Sequence, residues 1–116
     1  MIYRAVLHVD LDEIKPFTIA LANASNLLRA IPEKHYDLVI LFNGPAVNLL
    51  RADQCAAHRE EIWQLQQARV SFKVCRNALN RFNVDPESLI EGCEIVPAGI
   101  AALIEFQQDG YAYIKP

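Results

Sequence analysis

The chain is 116 residues long, 53% hydrophobic and 22% charged, a composition that excludes intrinsic disorder and needs no disulfide or metal to hold a core. A formal net charge of −3 and a pI near 5.5 leave no broad cationic field, which argues against nucleic acid as the main partner. One domain, residues 1–116, is expected at this length.

In chain order, Tyr3 to Val9 is rich in β-formers and ends in the acidic cluster Asp10, Asp12 and Glu13, so it reads as a strand followed by a loop. Phe17, Ala20, Leu21, Ala24, Leu27, Leu28 and Ile31 fall at helical spacing, with Pro16 in the first turn and Pro32 just past the end. Asp37 to Phe42 is an almost unbroken apolar run stopped by Asn43-Gly44-Pro45. A strand covered on both faces, as in parallel sheets, has that pattern. Ala46 to Leu50 suits a short helical turn, and Asp53 offers an N-cap for a helix to about Ala68 with Ile62, Trp63 and Leu65 as its apolar contacts.

Val70 to Val74 alternates, as in a strand less evenly covered, and a short helix over Arg76 to Phe82 follows at once. Asp85-Pro86 opens a turn, and Glu94 to Val96 is a brief strand ended by Pro97. Ile100, Leu103 and Ile104 mark the last helix, Gly110 takes its C′ position, and Tyr111 to Ile114 is the closing strand. Strand and helix thus alternate with short links, which predicts a three-layer α/β/α domain with a mainly parallel five-stranded sheet. Strand order is left open by the pattern.

Ile95 to Ile104, the longest apolar run, contains Pro97 and Gly99 and falls short of the ~18 residues of a membrane helix. Asp10, Asp12 and Glu13 interrupt any signal-peptide core. Cys55, Cys75 and Cys93 are odd in number and far apart, as expected of reduced thiols in a cytoplasmic protein.

Ligands of open parallel sheets bind outside the carboxyl ends of the strands. The residues there are Asp10 and Asp12, then Asn43, Gly44 and Pro45, then Cys75, Arg76 and Asn77, then Pro97, Ala98 and Gly99. Cys75 is the strong nucleophile of this set. At a strand-to-helix junction, free backbone N–H groups and the positive helix end favour its thiolate, and Arg76 is a neighbouring cation. Such a thiol can accept sulfur as a persulfide; a buried structural cysteine is the plain alternative.

His8, near the end of the first strand, suits either a bond to substrate or a satisfied core histidine. Asp10 and Asp12 look like the magnesium-holding pair of response-regulator receivers. Cys75 stands where that chemistry requires an aspartate, so a solvated loop with a helix N-cap is the expectation. Cys55 and His58 form a lone C-x-x-H, weak as a zinc signal, and Cys93 lies at the opposite end of the sheet. Dinucleotide, P-loop and zinc-protease motifs are missing from the sequence.

Several stretches together resemble the DsrE/DsrF-like family of small sulfur-relay proteins. They are His8-Val9-Asp10, Asn43-Gly44-Pro45-Ala46-Val47-Asn48-Leu49-Leu50, Val70 to Asn77, Val96-Pro97-Ala98-Gly99 and Gly110 to Pro116. The resemblance implies a symmetric homo-oligomer, a trimer or hexamer, with sulfur-donor and sulfur-acceptor proteins as partners and no metal or organic cofactor. It makes Cys75 the sulfur acceptor, with His8, Asn43, Gly44, Asn77 and Gly99 lining the pocket. The expected function is a cytoplasmic sulfur carrier or sulfurtransferase-like protein. The alternatives are a non-catalytic ligand-binding or assembly module of the same fold, and a thiol-based redox sensor cycling through sulfenic acid.

Overall fold

The fold is taken from a computed structural model, in which residues 1–31 and 35–116 are described; the reading of Pro32 lies outside them. Five strands, β1 (Tyr3–Val9), β2 (Tyr36–Phe42), β3 (Ser71–Cys75), β4 (Glu94–Val96) and β5 (Ala112–Ile114), form one sheet in the order β4-β3-β2-β1-β5. Every pairing is parallel, with Val6 opposite Val39 and Tyr113, Phe42 opposite Val74, and Cys75 opposite Val96. The sheet is therefore wholly parallel. The helices are α1 (Ile14–Ala30), α2 (Arg59–Gln67), α3 (Arg76–Arg81) and α4 (Gly99–Gln108), with 3₁₀ turns at Gly44–Leu50, Ala56–His58 and Pro86–Ser88.

Alternation along the strands sorts the core into two sides. Ala5, Leu7, Val9, Leu38, Ile40, Phe42, Phe72 and Val74 face one side. There they meet Phe17, Ala20, Leu21 and Ala24 of α1, Ile62 and Leu65 of α2, and Ala78 and Leu79 of α3. Val6, Val39 and Leu41 face the other side, where Leu103, Ala102 and Phe106 of α4 cover them. Both faces of β1 and β2 are thus buried, which explains their near-continuous apolar runs. Phe42 is fully buried, edge-on to Phe17 at 5.8 Å and stacked on Phe72 at 6.3 Å between ring centroids.

Three expectations need correction. The second helix begins at Arg59 rather than after Asp53. The N–H groups of Gln54 and Cys55 both turn back to the carbonyl of Arg51, and Ala52 N–H donates to Ser88 O. Pairing with the 88–90 segment, including the Arg51–Leu89 bridge, occupies the backbone that a helix would have used. Trp63 is 53% exposed, because Ile62 and Leu65 already define the inward stripe and the next residue turns away from it. Ile100 and Ile104 likewise point outward, at 65% and 50% exposure, since α4 is held by Leu103, Ala102 and Phe106.

The expected helix N-cap in the acidic loop is also absent. Glu13 occupies the N-cap of α1 without a side-chain bond. Asp10 instead pairs with Lys115, just beyond β5. Gly110 has φ +89° and follows the last turn of α4, the C′ geometry that favours glycine. Among the described residues, no helix is long and apolar enough to cross a membrane.

Phe42→Ala should cost about 3–5 kcal/mol of stability, the loss expected for a large buried ring, whereas Trp63→Ala should stay within about 0.5 kcal/mol. Urea unfolding of the two variants beside the wild type checks the contrast. Equal losses would contradict the assignment of Trp63 to the surface.

Candidate functional site

In the order β4-β3-β2-β1-β5, chain connections leave β1, β2 and β3 for the face that carries α1, α2 and α3. The connection leaving β4 goes to the opposite face as α4. Neighbouring strands β3 and β4 therefore send their chains to opposite sides, which makes their carboxyl ends the switch point at which open parallel sheets bind ligands. Cys75 ends β3 at that point, and Gly99 begins α4 beside it. The backbone N–H of Gly99 donates to the sulfur of Cys75 over 3.3 Å. Cys75 itself is 6% exposed.

The arrangement is favourable to negative charge on sulfur. Gly99 supplies the first N–H of α4, one of the four at a helix start that lack intrahelical acceptors. The positive end of the α4 dipole points the same way. Arg76 opens α3 beside Cys75 with its side chain exposed.

Asn43 forms the second wall. It follows β2 at the N-cap position of the 3₁₀ turn, without a side-chain cap bond, and the first residue of that turn, Gly44, has φ +56°. A side chain at Gly44 would lie 3.1 Å from the carbonyl oxygen of Asp10, so the two loops meet there without a side chain between them. A Cβ on Gly99 would stand 3.0 Å from Asn43 Cβ and 3.3 Å from both Asn43 Nδ2 and Cys75 Cβ. Glycine at this position lets the start of α4, the Asn43 amide and Cys75 close on one another.

His8 completes the cluster from β1. Its Nε2 lies 2.7 Å from Asn43 Oδ1, and its Nδ1 lies 2.6 Å from the hydroxyl of Tyr113 on β5. The His8 and Tyr113 rings also meet edge-on at 5.6 Å. A buried histidine with both ring nitrogens bonded thus connects the edge strand to Asn43. It does not bond to Cys75 directly: its ring nitrogens go to Asn43 and Tyr113.

Of the expected pocket residues, Cys75, Asn43 and Gly99 come together, His8 joins through Asn43, and Gly44 shapes the adjoining loop. Asn77 lies on the exposed first turn of α3, outside the hydrogen bonds of the cluster. Sequence reasoning missed Tyr113 and Lys115. Both follow from β5 lying beside β1, an adjacency that no local pattern encodes.

The other thiols are placed differently. Cys55 is buried and donates to Arg51 O, and Cys93 donates to Ile90 O; burial pushes both thiols up from their ordinary value. Among the described residues, no three His, Cys, Asp or Glu side chains gather as a metal site.

The DsrE/DsrF-like family model matches residues 8–116. The chain belongs to that family. Among solved structures, this DsrE/DsrF-like chain is similar to a protein of unknown function from Methanobacterium thermoautotrophicum. The two are 28% identical, with a TM-score of 0.88 over 98% of this chain and 99% of that one. A protein of unknown function from Bacteroides thetaiotaomicron shares the fold, with a TM-score of 0.74 at 20% identity over 97% of this chain and 93% of that one. No curated protein matches the chain.

At the rim of the site, the hydrogen bond from Lys115 holds the Asp10 carboxyl below its ordinary value. A carboxylate whose value is depressed on folding contributes stability above its unfolded value, and that contribution fades as pH falls through the folded one. Both side chains are about half exposed, at 45% and 40%, so Lys115→Ala should cost less than about 1 kcal/mol at neutral pH. The difference from wild type should shrink toward zero at acid pH, once the carboxyl is protonated in folded and unfolded states alike. Urea unfolding at the two pH values tests this, and a loss that persists in acid would show that the tail is held by something other than the ion pair.

Proposed function

We propose that this protein is a sulfur carrier or sulfurtransferase-like member of its family, working in a cytoplasmic setting with Cys75 as the acceptor of sulfane sulfur. The observation that carries the reading is the Gly99 N–H to Cys75 sulfur bond at the β3/β4 switch point. It gives a nucleophilic side chain a charge-stabilising donor at the position where parallel sheets hold their ligands.

The chemistry balances without metal, organic cofactor or external oxidant. The Cys75 thiolate attacks the outer sulfur of a donor persulfide, R–S–SH. A new S–S bond forms to Cys75, the donor's S–S bond breaks, and R–S⁻ leaves with the bonding electron pair. The product is Cys75–S–SH, and the return leg is the same step with an acceptor thiolate attacking the outer sulfur. Lowering the charge cost on Cys75 assists both legs, because this sulfur is the nucleophile in the first and the leaving group in the second.

Access is narrow at 6% exposure, which suits a donor that presents a persulfide on a slender tip. A groove of about 440 Å³ runs along α4 past Lys73, Val96, Pro97 and Ala98. Its Ala98 end is one residue from Gly99 and gives a donor or acceptor protein a place to approach.

The protein is further proposed to act as a homo-oligomer, a trimer or hexamer. Edge strand β5 leaves Ala112, Tyr113 and Ile114 exposed, beside an apolar groove formed with Ala24 and Leu27 of α1. An open edge strand next to an apolar surface is a feature that proteins usually cover.

Intact mass after incubation with a persulfide donor should show a reductant-labile gain of one sulfur atom in the wild type and none in Cys75→Ser, with both proteins folded. Equal gain in the two would remove Cys75 from the role. No gain in either, with Cys75 unreactive to alkylation until the protein unfolds, would support a ligand-binding or assembly module with a structural cysteine. Sedimentation at micromolar concentration should show a species larger than the 13.1 kDa chain, and a lone monomer would contradict the oligomer.

A further inference from the structure

Tyr113, His8 and Asn43 form a continuous chain of hydrogen bonds that begins on the exposed edge strand and ends against Cys75 and Gly99. Histidine between two partners admits two self-consistent patterns. An amide oxygen can only accept, so with Asn43 Oδ1 at 2.7 Å the Nε2 atom carries the proton. In the neutral ring Nδ1 is then an acceptor, and the Tyr113 hydroxyl at 2.6 Å donates to it. The reverse pattern would put the proton on Nδ1, make the Tyr113 oxygen the acceptor, and turn the Asn43 amide over.

The two patterns differ in what they present to sulfur. In the first, Asn43 Nδ2 faces the start of α4, 3.3 Å from the position that a Gly99 Cβ would take, a position equally distant from Cys75 Cβ. The amide N–H₂ group then lies beside the start of α4, whose Gly99 N–H bonds the sulfur of Cys75. In the second, an amide oxygen would stand there instead, and its partial negative charge would disfavour charge on the nearby sulfur.

We infer that Tyr113 is a positioning residue: its hydroxyl selects the Nε2–H tautomer of His8, which holds the Asn43 amide with its N–H₂ group toward the start of α4, beside Cys75. This builds on the reading of Cys75 as a nucleophile, and it deepens that reading by adding the positive end of the Asn43 amide dipole to the surroundings of the thiolate and the persulfide anion. It also gives β5 a part in the site, since Tyr113 reaches His8 only when β5 pairs with β1.

The test uses the full-length protein and two readouts. Long-range ¹H–¹⁵N correlation spectra in mildly alkaline buffer report which His8 nitrogen is protonated, with the His8 signals assigned by their absence from His8→Gln. The rate of Cys75 alkylation by iodoacetamide reports reactivity without any sulfur donor. The wild type should show His8 protonated on Nε2. Tyr113→Phe keeps the ring but removes the hydroxyl; it should mix the tautomers and slow alkylation about threefold, as expected when a fraction of one hydrogen bond to a charged group is lost. Asn43→Asp, which replaces the amide nitrogen by a charged oxygen, should slow it about tenfold or more.

Tyr111→Phe is the matched control, because Tyr111 bonds Asp37 at the other end of the sheet; it should change neither readout. A wild-type His8 protonated on Nδ1, or a Tyr113→Phe protein with unchanged tautomer and alkylation rate, would overturn the inference. If the wild type fails to load sulfur yet gives the expected spectra and the expected slowing, the positioning role is supported and only sulfur transfer is refuted.

Discussion

Because all five strands run the same way, each connection must cross the length of the sheet, and only the one between β4 and β5 crosses on the second face. That single reversal decides where everything else goes. Among the described residues it leaves α4 as the one helix of its face, parts the chain between β3 and β4, and brings the first N–H of α4 to the sulfur that ends β3. It also carries the chain back past β3, β2 and β1, so that β5 lands beside β1 and Tyr113 can reach His8.

The two faces divide the labour of stability and chemistry. The side of α1, α2 and α3 holds the aromatic stack of Phe17, Phe42 and Phe72 and most of the buried side chains. The α4 side holds a smaller apolar group around Val6, Val39, Leu41 and Leu103. Beyond that group, at the carboxyl ends of the strands, the polar cluster of His8, Asn43 and Tyr113 takes over. Its buried imidazole is tolerable because both nitrogens are satisfied; an unmet ring nitrogen at that depth would be costly. Among the described residues, no buried side-chain nitrogen or oxygen lacks a partner.

Much of this was legible in the sequence, for identifiable reasons. The strands announce themselves because residues buried on both faces give runs such as Asp37 to Phe42, and the helix over Phe17 to Ala24 follows from a single apolar stripe. The loops that carry Cys75, Asn43 and Gly99 follow from strand ends alone. What stayed illegible depends on contacts between distant segments. Asp53 is a sound N-cap by composition, yet the backbone around it pairs with Ser88 and Leu89 instead. Trp63, Ile100 and Ile104 are apolar but lie off the narrow stripes that Ile62, Leu65 and Leu103 define. The role of Tyr113 was hidden because it belongs to strand order, and strand order is written in no local window.

His8 and Tyr113 are 105 positions apart in the chain, and their bond depends on the most sequence-distant strand pairing in the sheet. Contacts of such separation bear the largest loop-closure entropy and tend to form late as a chain folds. The β1 to β3 framework and its aromatic stack can therefore be in place while His8 still lacks its outer partner. The polar cluster around Cys75 becomes whole only when β5 docks, so its completion is a marker of the finished fold and separates a native molecule from a compact but unfinished one.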